Sequence, residues 1–162
     1  MPDARTALFC LVLLVAMDVR GDDHGVATRY GKIETRTLRG DTDRSEIRFH
    51  GKLVASVEGN ADLYKLTSDA GPEFVLADAW VPGLHCHHQF TLVEIRANGT
   101  TARSPQFGEC KTLRGARMQG GRPVVQLEEP TIEDSPARGR VHEFLFVAGS
   151  ITELPDDTRS RR

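Results

Sequence analysis

The stretch CHHQFTLVEIRANGTTARSPQFGEC, residues 86–110, decides the fold that the sequence predicts. It begins and ends with a cysteine, and near its middle lies Asn98-Gly99, the strongest short signal for a β-hairpin. A two-residue turn there would leave Cys86 one position out of register with Cys110, and one extra residue in a bulge would bring the two opposite each other. The sequence therefore predicts a long hairpin whose base is closed by a Cys86–Cys110 disulfide.

The rest of the chain also has the pattern of β structure. Short runs rich in Val, Ile, Phe, Leu and Thr alternate with Gly, Pro, Asn and Asp turns. The chain has 162 residues, 39% of them apolar, which suffices for one domain with a core. We predict an all-β fold: a single-domain antiparallel sandwich or barrel of about eight to ten short strands with one disulfide-bridged hairpin. The predicted strands are 30–38, 46–49, 52–57, 61–66, 73–80, 87–95, 100–107, 111–118, 123–128 and 141–147. The sole tryptophan, Trp80, is expected in the core beside Phe74 and Leu76.

The N-terminal segment predicts export. Residues 7–17, ALFCLVLLVAM, form an unbroken apolar run that follows Arg5. These eleven residues span about 16 Å as a helix, whereas a bilayer core needs about 20 residues, so the run is too short for a typical transmembrane helix. A basic residue before such a run is typical of a signal peptide, and a buried N-terminal helix or strand is the alternative. We predict a signal peptide at 1–21, a β domain at 22–153 and a disordered basic tail at 154–162.

Export agrees with the cysteine count. Removal of the signal peptide removes Cys10 and leaves two cysteines, an even number that favours a disulfide outside the cytosol. The bridge would close a loop of about 25 residues, worth roughly 3.5 kcal/mol in the chain-entropy model. We therefore expect a periplasmic or secreted protein whose mature chain has no integral membrane segment, and two free thiols in a cytosolic protein is the alternative.

The charge balance excludes some partners. Lys and Arg number 21 and Asp and Glu number 23, so the formal net charge is −2. A dedicated nucleic-acid binder is usually strongly basic, and a near-neutral chain is not drawn to anionic membranes. We predict no nucleic-acid partner.

Histidines form the densest cluster of chemically active side chains. On an extended strand His85 and His87 would share one face, and Cys86 and His88 the other. A His-x-His pair can provide two ligands to Cu²⁺ or Zn²⁺, so copper or zinc binding at His85 and His87 is an alternative function. Candidates for a third ligand are His24, His50 and His142.

Catalytic motifs are weak. The chain has no Gly-x-Ser-x-Gly elbow, and Cys–His catalysis needs a free thiolate, which the expected disulfide removes. The acidic pairs Glu128-Glu129 and Glu133-Asp134 lie in a predicted surface loop. We therefore predict a protein without enzymatic activity and without a cofactor, and a small secreted hydrolase remains an alternative.

One part of the chain resembles a known pattern. The motifs GLHC at 83–86, FTLV at 90–93, NG at 98–99 and SPQFGEC at 104–110 are similar to those of small exported proteins of Gram-negative bacteria. Those proteins share Gly-x-x-Cys, an aromatic β-strand, a glycine turn and Phe-Gly-x-Cys. The resemblance covers about 28 residues, implies export and a bridged hairpin, and carries no activity.

Together these features predict an exported protein-binding module, such as an inhibitor or immunity protein against an envelope-acting enzyme. A rigid, disulfide-anchored loop loses little entropy when it docks into a partner. The expected contact surface is either the hairpin tip or the loop at residues 82–88. The candidate binding residues are His85, His87, His88, Asn98 and Gly99.

Overall fold

The computed structural model describes residues 24–40, 43–66, 70–81, 88–130 and 139–155. These residues form twelve β-strands and no helix, so the prediction of an all-β fold is confirmed. The strands are β1 (His24–Thr28), β2 (Gly31–Leu38), β3 (Arg44–Phe49), β4 (Lys52–Glu58), β5 (Asn60–Leu66), β6 (Glu73–Trp80), β7 (His88–Ile95), β8 (Thr101–Arg103), β9 (Thr112–Gln119), β10 (Arg122–Glu128), β11 (Val141–Val147) and β12 (Ser150–Glu153). Nowhere in these ranges is there a helix long and apolar enough to cross a bilayer.

The expected number of about eight to ten strands is too low, because β1 and β12 were not predicted. Both are short and neither contains an apolar run typical of a strand, since their sequences are HGVAT and SITE. Each pairs with a longer neighbour across a tight turn, β1 with β2 and β12 with β11. Backbone pairing with an apolar neighbour, and not the pattern of their own side chains, makes them strands.

Three antiparallel sheets stack as layers in chain order. Sheet 1 contains β1 to β4, sheet 2 contains β5 to β8, and sheet 3 contains β9 to β12, each as a meander in which consecutive strands are neighbours. One apolar cluster joins sheets 1 and 2, and a second joins sheets 2 and 3. Of the two expected architectures the sandwich is the nearer, with a third layer added. Four-stranded meanders that pack face to face are also the units of β-propellers.

Sheet 2 is covered on both faces, and its strand β6 is the most buried of the twelve described strands. All residues of EFVLADAW except Trp80 are buried, as expected for a central strand in contact with two layers. Alternate residues point to opposite layers. The layer shared with sheet 1 contains Ile33, Ile47, Phe49, Ala55, Val57, Ala61, Val75, Ala77, Ala79, Val93 and Ile95. The layer shared with sheet 3 contains Phe74, Leu76, Phe90, Leu92, Val125, Leu127, Phe144 and Phe146.

The predicted hairpin is present as β7 and β8, with the extra turn residue that the disulfide pairing required. Thr101 pairs with Ile95, and the amide of Arg96 donates to the Thr100 carbonyl at 3.0 Å. The loop therefore contains three residues, 97–99, and not the two of the simpler alternative. Gly99 has φ +77°, which is the left-handed residue that closes a three-residue hairpin loop.

The second arm of the hairpin ends earlier than predicted. The expected strand over 100–107 is regular only at Thr101–Arg103, because Pro105 has no amide hydrogen for the ladder. The buried Ser104 bridges the interruption, since its hydroxyl accepts a hydrogen bond from the Leu92 amide at 3.0 Å. Pairing resumes at Phe107, which is bridged to Phe90.

Candidate functional site

The predicted binding residues lie at opposite ends of one strand. His88 is the first residue of β7, whereas Asn98 and Gly99 lie in the loop beyond its last residue. At about 3.4 Å per residue, β7 separates the two places by roughly 24 Å. The hairpin tip and the histidine end of the strand are therefore separate surfaces. His85, Cys86 and His87 lie outside the described residues.

The hairpin tip is exposed and held by its own hydrogen bonds. Residues 96–100 are all exposed. The Asn98 Oδ1 accepts hydrogen bonds from the Thr100 amide at 3.0 Å and from the Thr100 hydroxyl at 2.7 Å. The Gly99 amide donates to the Arg96 carbonyl at 2.9 Å. Side-chain and backbone bonds thus both fix the loop conformation.

Cys110 lies beside His88, in a tight turn that follows the hairpin. Its amide donates to the His88 carbonyl at 3.1 Å, and the Lys111 amide donates to the Gly108 carbonyl at 3.1 Å. Gly108 has φ +67°, and a Cβ there would lie 2.0 Å from a methyl carbon of Leu127, so only glycine fits. The turn places Cys110 opposite a residue two positions along the chain from Cys86.

A carboxylate fixes the imidazole of His88. His88 Nδ1 lies 2.8 Å from Asp78 Oδ1, and Asp78 is buried with 6% of its surface exposed. Asp62 lies directly opposite Asp78 in the ladder between β5 and β6. Burial raises the pKa of Asp78, and the charge of Asp62 raises it too, against the lowering effect of His88.

This arrangement sets the protonation pattern of the ring. An ionised Asp78 accepts the Nδ1 proton, so the neutral imidazole keeps a lone pair on Nε2. The His88 side chain is 32% exposed, which leaves Nε2 open to an external partner. Such a nitrogen can accept a hydrogen bond, remove a proton or bind a metal ion.

The two carboxylates also affect the neighbouring phenol of Tyr64. Burial and the charges of Asp62 and Asp78 all raise the pKa of Tyr64. None of the three residues Asp62, Tyr64 and Asp78 was predicted from the sequence. An acidic residue inside a nearly continuous apolar run such as EFVLADAW was the available signal, because such a run indicates a strand buried on both faces.

A polar hollow of about 270 Å³ lies where the ends of β1 and β2 meet β5 and β6. Its lining residues are His24, Thr37, Arg39, Asn60, Ala61, Asp62 and Trp80. Trp80 is only half-buried, so the expectation that it belongs to the core is wrong. It is the last residue of β6, where the two covering layers no longer enclose the strand.

The histidines considered as a third metal ligand are held apart by separate contacts. His50 Nε2 lies 2.9 Å from the Tyr30 carbonyl oxygen at one end of sheet 1. His142 lies in sheet 3, where Nδ1 is 2.6 Å from Glu153 Oε1 and Nε2 is 3.0 Å from Glu129 Oε1. His24 lines the hollow. Across the described ranges, no group of three or more His, Cys, Asp or Glu side chains has the geometry to hold a metal ion.

Comparison with known proteins does not assign the site. The chain matches no protein-family model, no curated protein and no solved structure.

Proposed function

We propose that this protein is an exported protein-binding module that inserts the β7–β8 hairpin tip into a cleft of its partner. An inhibitor or immunity protein against an envelope-acting enzyme is the role that this proposal favours. The observation that carries it is the exposed three-residue tip, fixed by four hydrogen bonds. Binding then costs little ordering entropy, because the loop already has its final conformation.

The tip has the shape and chemistry for a narrow cleft. Its side chains are small, since the loop contains Ala97, Asn98 and Gly99. Asn98 uses its carbonyl oxygen within the loop, so its amide NH₂ is left to donate to a partner. The tip projects from sheet 2, which is packed on both faces and therefore forms a firm base.

The proposal includes export and a Cys86–Cys110 bridge. The bond between the Cys110 amide and the His88 carbonyl supports it, because residue 86 is only two positions from His88. The bridge would close the base of the hairpin beyond the N-terminal end of β7, whereas the tip lies beyond its C-terminal end.

The test uses the mature chain and a bulky substitution at the tip. Ala97→Trp enlarges the tip without removing the bonds of Asn98 or Gly99, and Gln119→Trp is the matched control at the exposed end of β9. The wild-type protein would first isolate a partner from an envelope extract. Calorimetry with the purified partner should then show at least about tenfold weaker binding for Ala97→Trp and unchanged binding for Gln119→Trp. Equal affinities for both variants would refute the proposal.

Metal binding is a second candidate, favoured by the contact between Asp78 and His88. Histidine ligands usually donate their second ring N–H to a carboxylate, and His88 makes that contact at 2.8 Å. In this reading Cu²⁺ or Zn²⁺ binds to His88 together with His85 and His87. Calorimetry should show micromolar or tighter binding that is lost in His88→Ala and in the His85→Ala/His87→Ala double variant. Unchanged binding in these variants would remove this candidate.

The structure gives less support to a hydrolase than to the two functions proposed above. A glycosidase, for example, would need two carboxylates that face one cleft. Asp62 lines the hollow, but Asp78, whose pKa is raised, contacts His88 and is not among the lining residues.

A further inference from the structure

We propose that the hollow lined by Asn60, Asp62 and Trp80 binds a neutral saccharide of about one sugar ring. It is distinct from the hairpin tip, which lies beyond the far end of β7. This inference does not depend on the proposed protein-binding role.

The hollow combines one aromatic ring with planar polar groups. Trp80 provides an apolar face against which the C–H groups of a sugar ring can pack. The Asp62 carboxylate, the Asn60 amide and the Arg39 guanidinium each offer two or more hydrogen-bonding atoms in one plane. Adjacent hydroxyl groups on a sugar present donors and acceptors at the spacing that such groups recognise.

These polar groups are not used by the fold. In the part of the chain that the structure describes, the side chains of Arg39, Asn60 and Asp62 form no hydrogen bond or ion pair with other protein groups. Asn60 and Asp62 lie on the same face of β5, and Asn60 is paired with Trp80 across the ladder. Three members of the set are therefore held at fixed spacing on paired strands.

Charge and size both favour a neutral, compact ligand. The lining contains one carboxylate, one guanidinium and the imidazole of His24, so no single sign of charge dominates and a neutral ligand is favoured over a phosphate or an amine. A volume of about 270 Å³ is slightly below the roughly 300–1,000 Å³ of sites for drug-sized ligands. The hollow therefore suits one sugar ring, with further rings of a glycan left outside.

Trp80 makes the test direct, because it is the only tryptophan of the chain and lines the hollow. Its intrinsic fluorescence would be followed while the mature protein is titrated with glucose, galactose, mannose, N-acetylglucosamine and their disaccharides. Inorganic phosphate and glucosamine serve as charged probes. We expect a saturable fluorescence change with at least one neutral saccharide, at a Kd of millimolar order.

Variants distinguish the hollow from other surfaces. Asp62→Asn and Asn60→Ala should each weaken binding at least about tenfold. Tyr64→Phe is the matched control, because Tyr64 lies on the same face of β5 outside the hollow and should leave the Kd unchanged. Thermal unfolding of each variant verifies that the fold is kept.

Three results would overturn the proposal. The first is the absence of saturable binding by every neutral saccharide. The second is binding that is the same in Asp62→Asn, Asn60→Ala and the wild type. The third is tighter binding of phosphate that is lost in Arg39→Gln and kept in Asp62→Asn, which would identify an anion site.

Discussion

Two buried acids at opposite ends of β6 have opposite pKa shifts. Glu73 begins the strand and Asp78 lies five residues later, and both are buried. The pKa of Glu73 is lowered, whereas that of Asp78 is raised. The difference arises from the partners that each carboxylate has.

Glu73 is surrounded by donors. Burial alone would raise its pKa, but the Arg29 amide, the Lys65 ammonium and the Arg29 guanidinium together outweigh burial. Arg29 Nε and Lys65 Nζ lie 3.0 and 3.2 Å from Glu73 Oε1. Arg29 belongs to the β1–β2 turn and Lys65 to β5, so this ion cluster fastens sheet 1 to sheet 2. It is a structural contact.

Among the residues that the structure describes, Asp78 has one hydrogen-bond partner and one like-charged neighbour. His88 binds it from β7, while Asp62 opposes it from β5. This end of the strand therefore places two carboxylates beside the partly exposed imidazole of His88 and close to the polar hollow. Carboxylates whose pKa is raised by burial and by a neighbouring like charge are common at functional sites. We therefore expect the Glu73 end to contribute to stability, and we propose the Asp78 end as the functional one.

The largest expected effect tests the Glu73 end. Glu73→Gln should lower the free energy of unfolding by about 2 kcal/mol, because it removes the buried carboxylate that pairs with the partly exposed Arg29 and Lys65. Urea denaturation at neutral pH measures this. The matched control is Glu34→Gln, whose more exposed carboxylate pairs with Lys32 on one strand and should cost less than about 1 kcal/mol. Similar losses in both variants would show that the Glu73 cluster is no more important than a surface pair.

The strands of this fold follow from sequence more readily than the acids do. The predicted bounds of the strands at 73–80 and 141–147 agree with β6 and β11, because apolar runs there are bounded by turn residues. Contacts between side chains of different sheets cannot be predicted in the same way. Arg29 is 44 residues from Glu73, and only the stacking of sheets 1 and 2 brings them together.

The candidate site was predicted only in part. The hairpin and its exposed Asn98-Gly99 follow from local turn chemistry, and the loop has the one extra residue that the predicted disulfide pairing required. The sequence also selected His88, but its contact with Asp78 depends on the register between β6 and β7. The hollow joins residues of four strands or strand ends, so no sequence spacing could indicate it.

Opposite pH dependence is the second test of the comparison. Glu73 has a folded-state pKa below its ordinary 4.5, so its stabilisation is present above that pH and is lost as the pH falls through the folded value. Asp78 has a folded-state pKa above its ordinary 3.8, so its contribution is present in acid and is lost as the pH rises through the folded value.

The two neutralising variants should therefore change the acid response in opposite directions. Between about pH 7 and pH 3, Glu73→Gln should lose less stability than the wild type, and Asp78→Asn should lose more. Urea denaturation at a series of pH values gives both slopes. If both variants shift the slope in the same direction, the two ends of β6 do not differ as the structure indicates.

The smallest expected effect concerns a proton and leaves stability almost unchanged. At about pH 8.5, where imidazoles are neutral, His88 should carry its proton on Nδ1, because Asp78 accepts it there. His50 is the internal control, since its Nε2 contacts the Tyr30 carbonyl, which can only accept a hydrogen bond. One long-range ¹H–¹⁵N NMR spectrum should thus show opposite tautomers for the two rings.

Asp78→Ala should abolish the Nδ1–H preference of His88 and leave His50 unchanged. A His88 ring protonated on Nε2 in the wild type would mean that Asp78 does not orient it, and the functional reading of this end of β6 would fail with it.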